Sequence, residues 1–576
     1  MRRLIIAGLA LAAVQIALSL PEAHQASAAA PVFEDAPCPM PIPDGQRPED
    51  VRCGFLTVPE FHANDNGRTL KLAVAVIKST SPNPAPDPVV YLTGGPGAPA
   101  LDGELQGLGQ AGYGDFVQST RDFIFFDQRG TGYSEPGLYC PETLDLTLEN
   151  LVLGRTLEEA EANNDQKLLA CRDRLLAEGV DLAAYNSAES AHDIAGLVNA
   201  LGYDDYNLYG TSYGTRLALT AMREAPEHIR SVVLDSTVPV QIDLPAEIAR
   251  DFERSLGEVF DGCRTQPSCQ AAYPDLEGTW WDLINRSNAN PIEITIKDRD
   301  DQPVDIKITG NDLQGGAFTS LYNASIIGLL PFASDDIAKG NTGILTLLAQ
   351  ELVFAFGGFA DAMSTSVTCA EETPFITPSD VSAGNRGVRP EIIEAGIGIS
   401  TLDELRRARE FCEAWGVPAA SAEEATAVTS NIPALILGGQ FDPITPPHFG
   451  ALAGRTLSRS HFFQFPASGH GVIYEQHDCS ASMVAEFLAR PANEPDSSCI
   501  AAIAPLEFVV PEEDAGPSLP PPLPPPTGVI FAPDTGAGPD NAEAAGIAGV
   551  IAVLLGSGAF LCALGVSRVL VPPVGS

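Results

Sequence analysis

The run Tyr206-Asn207-Leu208-Tyr209-Gly210-Thr211-Ser212-Tyr213-Gly214 changes from one kind of secondary structure to another within a few residues. Residues 206–209 are apolar and aromatic, the mark of a short buried strand, and residues 216–225 continue with helical spacing. A strand that turns sharply into a helix forces its corner residue into strained geometry. Glycines on either side keep the neighbours from clashing, so the hydroxyl of Ser212 stands exposed at the sheet edge. Glycine fills 53 of 576 positions, so this spacing also arises by chance and its surroundings must decide its meaning.

Those surroundings are alternating strands and helices. Strands are expected at 89–92, 123–126, 206–209, 232–235, 434–437 and 462–465, with helical patterns between them, which predicts an α/β fold with a largely parallel sheet. The stripe Ile194, Leu197, Val198 and Leu201 marks a helix covering that sheet. Alternation over 69–77 predicts an antiparallel edge strand ahead of the parallel core. The connection between the strands at 232 and 434 is far longer than the roughly 2–6 residues usual in α/β units. It is read as an inserted, mostly helical cap, with helices over 246–260, 344–356 and 402–415 and one β-like patch at 292–308. Ligands bind open α/β sheets at the carboxyl ends of the strands, where such a cap would enclose them.

Serine attacks only when a base takes its proton, and the base needs an orienting carboxylate; in this arrangement they follow in the order Ser, Asp, His. Asp442 lies in Gly438-Gly439-Gln440-Phe441-Asp442-Pro443 and His470 in Pro466-Ala467-Ser468-Gly469-His470-Gly471, each just after a late strand. Ser212, Asp442 and His470 are therefore the expected nucleophile, orienter and base. An oxyanion would be met by the backbone N–H of Tyr213 and by that of Gly95 in Gly94-Gly95-Pro96-Gly97.

Three blocks, Thr93-Gly94-Gly95-Pro96-Gly97, Asp127-Gln128-Arg129-Gly130-Thr131-Gly132-Tyr133-Ser134 and Gly210-Thr211-Ser212-Tyr213-Gly214-Thr215, resemble the GGPG, DQRGxGxS and GxSxG motifs of the proline iminopeptidase and tripeptidyl aminopeptidase family of α/β-hydrolases. The match spans residues 38–499, and the long cysteine-containing cap resembles the exported tripeptidyl aminopeptidase branch. One departure is Thr93, where many relatives carry His. The resemblance implies an α/β-hydrolase fold with the cap inserted in the sheet, Asp127 and Arg129 as an internal ion pair, and cleavage of peptide bonds near free N-termini through an acyl-enzyme. It also implies carboxylates that hold the substrate ammonium, for which Glu371 and Glu372 are the candidates. No metal or organic cofactor is expected. The alternatives are a carboxylesterase on the same scaffold and a non-catalytic surface binding protein.

The termini and the composition complete the expectation. Residues 1–30 have a basic start, an apolar stretch and a small-residue run, the layout of a cleavable signal peptide. Core segments are expected at 31–240 and 431–505, the cap at 241–430, a Pro/Gly-rich acidic stalk at 506–543, a transmembrane anchor at 544–567 and a short tail at 568–576. The partners are then peptide substrates and, through the C-terminal helix, the membrane, with the enzyme outside the cell. Residues 532–536 faintly resemble a sortase-type signal but lack its Leu. Ten of the eleven cysteines lie between Cys38 and Cys499 and suggest disulfides between neighbours along the chain. With 33 basic against 75 acidic residues the formal charge is −42, which excludes a nucleic-acid partner.

Overall fold

The computed structural model describes residues 30–63, 66–107, 114–353, 358–475 and 477–511. The expected signal segment, apart from Ala30, most of the stalk, the anchor and the tail lie outside the described residues. Among the described residues no helix is long and apolar enough to cross a membrane.

Eleven strands occur among them: β1 (Val32–Asp35), β2 (Val51–Pro59), β3 (Thr69–Ile77), β4 (Val89–Leu92), β5 (Phe123–Phe126), β6 (Tyr206–Thr211), β7 (Ile229–Asp235), β8 (Ile292–Lys297), β9 (Pro303–Ile308), β10 (Ala434–Gly439) and β11 (Ser460–Phe465). Nine form one sheet in the order β1-β2-β3-β5-β4-β6-β7-β10-β11. The pairs from β5 through β11 are parallel, and β4, β5, β6 and β10 are buried along their whole length. Continuous apolar runs are what a parallel sheet covered on both faces requires. The covering helices include Ser187–Leu201, which buries Ile194, Leu197 and Val198; its first turn is capped by Asn186 accepting the Glu189 N–H.

One expectation is corrected. β3 is not an edge strand: it pairs antiparallel with both β2 and β5. Its last six residues are buried in succession, so both faces are covered, whereas the edge is β1, mostly exposed. Gly54 and Pro59 interrupt the pattern of β2 and hid it from a reading of periodicity.

Between β7 and β10 the chain forms helices including Leu244–Thr265, Leu276–Ala289, Gly310–Ser320, Gly343–Leu352, Asp361–Glu371 and Leu402–Trp415, and the antiparallel hairpin β8–β9. The first four of these helices and the hairpin share an apolar cluster that includes Phe252, Leu256, Trp280, Ile284 and Ile306, whereas Met363 and Val367 of Asp361–Glu371 and Trp415 of the last helix join the core of the large sheet. Five disulfides join neighbours along the chain as expected: Cys38–Cys53, Cys140–Cys171, Cys263–Cys269, Cys369–Cys412 and Cys479–Cys499.

The expected Asp127–Arg129 ion pair is absent, and the two residues serve different partners. Arg129, fully buried, forms a two-pronged pair with Asp193, its Nε and Nη2 each 2.8 Å from a carboxylate oxygen, and its Nη1 donates to the carbonyls of Glu60 and Ala184. His62 Nε2 lies 2.8 Å from the same carboxylate. Burial alone would raise Asp193, but the Arg129 charge and the His62 contact hold it below the usual carboxylate range. Its contribution to stability is therefore present at neutral pH and is lost as pH falls through the acid range. Replacing Arg129 with Met should lower the unfolding free energy by about 3–5 kcal/mol, because Asp193 is left as a buried charge. A urea titration showing a loss under about 1 kcal/mol would contradict this account of the pair.

Candidate active site

Ser212 occupies the corner between β6 and the helix Tyr213–Glu224, with φ 59° and ψ −128°. That conformation costs on the order of 1–3 kcal/mol and persists only because the surroundings enforce it. A Cβ on Gly214 would stand 1.9 Å from the Leu92 carbonyl oxygen, and one on Gly210 would stand 2.4 Å from the carbonyl oxygen of Gly214. Both motif glycines are thus required by contact. The Ser212 N–H donates to the Asp235 carbonyl at 3.1 Å, while its own carbonyl accepts from the Thr215 N–H and hydroxyl at 2.8 and 2.6 Å.

Asp442 and His470 come together from the loops after β10 and β11. His470 Nδ1 lies 2.8 Å from Asp442 Oδ2, and both side chains are fully buried. Thr445, three residues after Asp442, donates its hydroxyl to the same oxygen at 2.6 Å, and its N–H donates to Oδ1 at 2.8 Å. Burial would raise Asp442, but the charge and hydrogen bond of His470, with the two bonds from Thr445, hold it below the usual range. The carboxylate stays ionised and fixes the ring. His470 Nε2 is buried with no hydrogen-bond partner, which leaves it free to accept a proton.

Two residues overlooked in the sequence hold this histidine. Tyr322, just beyond the helix Gly310–Ser320, packs its ring 4.6 Å from the imidazole, and its carbonyl accepts the His470 N–H at 2.9 Å. Asp235 closes β7 and accepts the N–H groups of Val472 and Ile473 at 2.8 and 3.0 Å. One residue therefore ties the serine turn, through its carbonyl, to the histidine loop, through its carboxylate. Its signal was a lone acid ending the apolar run Val232-Val233-Leu234.

Gly94 packs against the serine: a Cβ there would meet Ser212 Cβ at 2.8 Å. The loop carrying Gly94 and Gly95 is anchored by Gln128, whose side-chain amide donates to the Thr93 carbonyl at 3.0 Å, and by Asp127, which accepts the N–H groups of Ala100, Leu101 and Tyr133 at 2.7, 3.0 and 2.8 Å. Asp127 and Gln128 of the block are the loop's support, whereas Arg129 is engaged elsewhere with Asp193. The Tyr213 N–H opens a helix, where the first N–H groups have no intrahelical partner.

The two candidate glutamates separate. Glu371 is buried; one oxygen takes the Ser187 N–H at 2.6 Å, and the other takes the Ser187 hydroxyl at 2.6 Å and faces Arg216 Nε at 3.3 Å. Both of its oxygens already take hydrogen bonds and Arg216 balances its charge, which argues against an ammonium contact there. Glu372 is half-buried, and its carboxylate makes no hydrogen bond among the described residues. Burial raises it, opposed by Arg216. Near it Asp243 is pushed up to about 6 by burial and by the charges of Asp380 and Glu372. An apolar cavity of about 380 Å³ lies elsewhere, lined by Trp280, Leu313, Ala317, Leu330 and Leu345, and includes none of Ser212, Asp442 and His470.

The model of the alpha/beta hydrolase fold matches residues 87–275, and that of TAP-like proteins matches residues 403–499. The chain has the α/β-hydrolase fold and is similar to members of the proline iminopeptidase and tripeptidyl aminopeptidase family. It is a serine hydrolase. It is similar to the serine protease Hip1 of Mycobacterium tuberculosis, 23% identical over 500 residues, covering 81% of this chain and 90% of that one. The tripeptidyl aminopeptidase of Streptomyces lividans is 28% identical over 201 residues, 34% of this chain and 37% of that one. Carboxylesterase B of M. tuberculosis is 24% identical over 461 residues, 77% and 85% of the two chains.

In this α/β-hydrolase, Asp235→Asn should keep the side-chain shape but place an amide among N–H donors, costing about 1–3 kcal/mol of stability. Turnover of an ester substrate should fall about tenfold with little change in KM, since the loop of His470 is displaced rather than substrate binding. A variant with wild-type turnover would show that Asp235 does not position the histidine.

Proposed function

We propose that the protein is an exported serine exopeptidase of aminopeptidase type. The observation that carries this reading is the buried Asp442–His470 pair, with His470 Nε2 unpartnered, tied through Asp235 to the strained turn that presents Ser212. Ser212 Oγ attacks the scissile carbonyl as His470 Nε2 takes its proton; the oxyanion is met by the N–H groups of Gly95 and Tyr213. His470 then gives the proton to the departing amine, and water, activated by the same imidazole, hydrolyses the acyl-enzyme. Asp442 keeps Nδ1 protonated and balances the imidazolium.

Glu372 is the carboxylate assigned to the substrate ammonium, in a region already made acidic by Asp243 and Asp380. A charge-assisted hydrogen bond there would favour free N-termini over blocked ones. Five disulfides fit an oxidising compartment outside the cytoplasm. The apolar run 544–567 supports attachment to the membrane, which cell fractionation would test. The second reading, a carboxylesterase, is favoured by the similarity to carboxylesterase B over most of both chains.

A fluorophosphonate probe should label the wild-type chain and not Ser212→Ala; equal labelling of both would remove Ser212 as nucleophile. Matched substrates then separate the two readings, because the peptidase should cleave free-amine peptides far faster than their acetylated forms. Glu372→Gln should raise KM for the free-amine peptide roughly 10- to 100-fold, as loss of a charged hydrogen bond of about 1.5–3 kcal/mol requires, and leave simple esters unchanged. Equal effects on both substrates would sink the assignment of Glu372.

A further inference from the structure

The first helix of the inserted region, Leu244–Thr265, grips the loop that carries Asp442. Arg254 Nη1 donates to the Gln440 carbonyl at 2.8 Å and Nη2 to the Asp442 carbonyl at 2.6 Å. Nη2 also donates to the Ser255 hydroxyl at 2.8 Å, and that hydroxyl donates its own proton to the Asp442 carbonyl at 3.1 Å. One turn further on, Glu258 accepts from the Gln440 side-chain Nε2 at 2.8 Å, while Gln440 Oε1 accepts the Ala467 N–H at 3.2 Å. Residues 254 and 258 lie on one side of the helix. A single helix face therefore reaches the acid loop at two carbonyls and, through Gln440, the loop of His470.

The same helix meets the base by a second route. Phe252 meets Phe318 edge-on with ring centres 5.6 Å apart, Phe318 meets Tyr322 edge-on at 5.9 Å, and Tyr322 packs against His470.

A guanidinium is a costly choice at position 254. It is half-buried, its Nε has no hydrogen-bond partner, and its other donors go to neutral oxygens rather than to a carboxylate. Burial draws it below the usual arginine range, opposed by the charges of Asp442, Asp251 and Glu258. Packing alone would be served as well by an apolar residue. What arginine supplies is a planar fork, two donors at a fixed spacing that hold two carbonyls of one loop at once. Pro443 follows Asp442 and brings no N–H, so the loop has one backbone donor fewer with which to fix itself.

We propose that Arg254 is a positioning residue: by holding the carbonyls of Gln440 and Asp442 it keeps the Asp442 carboxylate in line with His470 Nδ1, so that an inserted helix completes the site. The proposal rests on the reading of Ser212, His470 and Asp442 as nucleophile, base and acid. Arg254 touches no reacting atom. It acts through the orientation of the imidazole, which decides how well Nε2 takes the serine proton, and leaves substrate binding alone.

The test uses the full chain and a nitrophenyl ester, whose small size keeps peptide preference out of the measurement. Arg254→Met should lower kcat about 10- to 100-fold with KM within about twofold of wild type, and should slow fluorophosphonate labelling of Ser212 in parallel. Arg254→Lys keeps a cation but offers a point rather than a fork, and should recover part of the loss, to within about tenfold of wild type. Ser255→Ala removes the second donor to the Asp442 carbonyl and should cost about threefold in kcat. Ile284→Val loosens the apolar cluster of the inserted helices without removing any of these bonds, and should keep wild-type kcat. A kcat within about threefold of wild type in Arg254→Met, a loss carried by KM, or an equal fall in Ile284→Val overturns the proposal. If Arg254→Met does not fold, wild-type kcat in both Arg254→Lys and Ser255→Ala does so. A wild-type chain that takes no label at Ser212 removes the nucleophile reading and the proposal with it, whereas normal labelling with unchanged kcat in the variants removes Arg254 alone.

Discussion

The approach of Gly214 to the Leu92 carbonyl is the constraint on which the site depends. A side chain at 214 would collide at 1.9 Å, so β6 and the helix Tyr213–Glu224 can meet β4 this closely only through glycine. The closeness forces Ser212 to φ 59° and brings Gly94 onto the serine side chain. The strain is offset by the hydrogen bonds around the corner, to Asp235 on one side and from Thr215 on the other. The turn is therefore a rigid feature of the sheet, and everything that must reach Ser212 is arranged relative to it.

Buried carboxylates do most of that arranging. Asp127 gathers three N–H groups at the base of the loop carrying Gly95, Asp235 gathers two from the chain after His470, and Asp442 fixes the imidazole with help from Thr445. In a low-dielectric interior a carboxylate is tolerable only when donors surround it, and the same donors are thereby immobilised. Asp127 and Asp235 are both pushed up to about 6 by burial against these N–H groups. Asp442, which faces His470 in addition, is held low. A strongly acidic sequence thus uses a few of its acids as internal staples, and the arginine among them, Arg129, is matched to Asp193 rather than to its neighbour Asp127.

Much of this was legible before the structure. β4, β5 and the helix Leu402–Trp415 fall at their expected bounds, because short apolar runs between turn residues and a full helical stripe are local signals. Asp442 and His470 were legible because each follows a strand in a fixed order. Periodicity failed at β2, broken by glycine and proline, and at β3, where alternation gives way to continuous burial once a strand lies on each side. Tyr322 could not be found this way: it comes from the inserted helices, and its contact with His470 spans a separation in sequence that no local pattern encodes.

The sequence by itself determined the alternation of parallel strands and helices, the serine turn, and the aspartate and histidine in the loops after the two late strands, because each depends on backbone conformations set by a few adjacent residues. Only the tertiary structure decided which charges meet. It paired Arg129 with Asp193 and occupied Glu371 with Ser187 and Arg216. Charges interact through space and in proportion to their burial, so their partners depend on how distant segments pack and not on spacing along the chain.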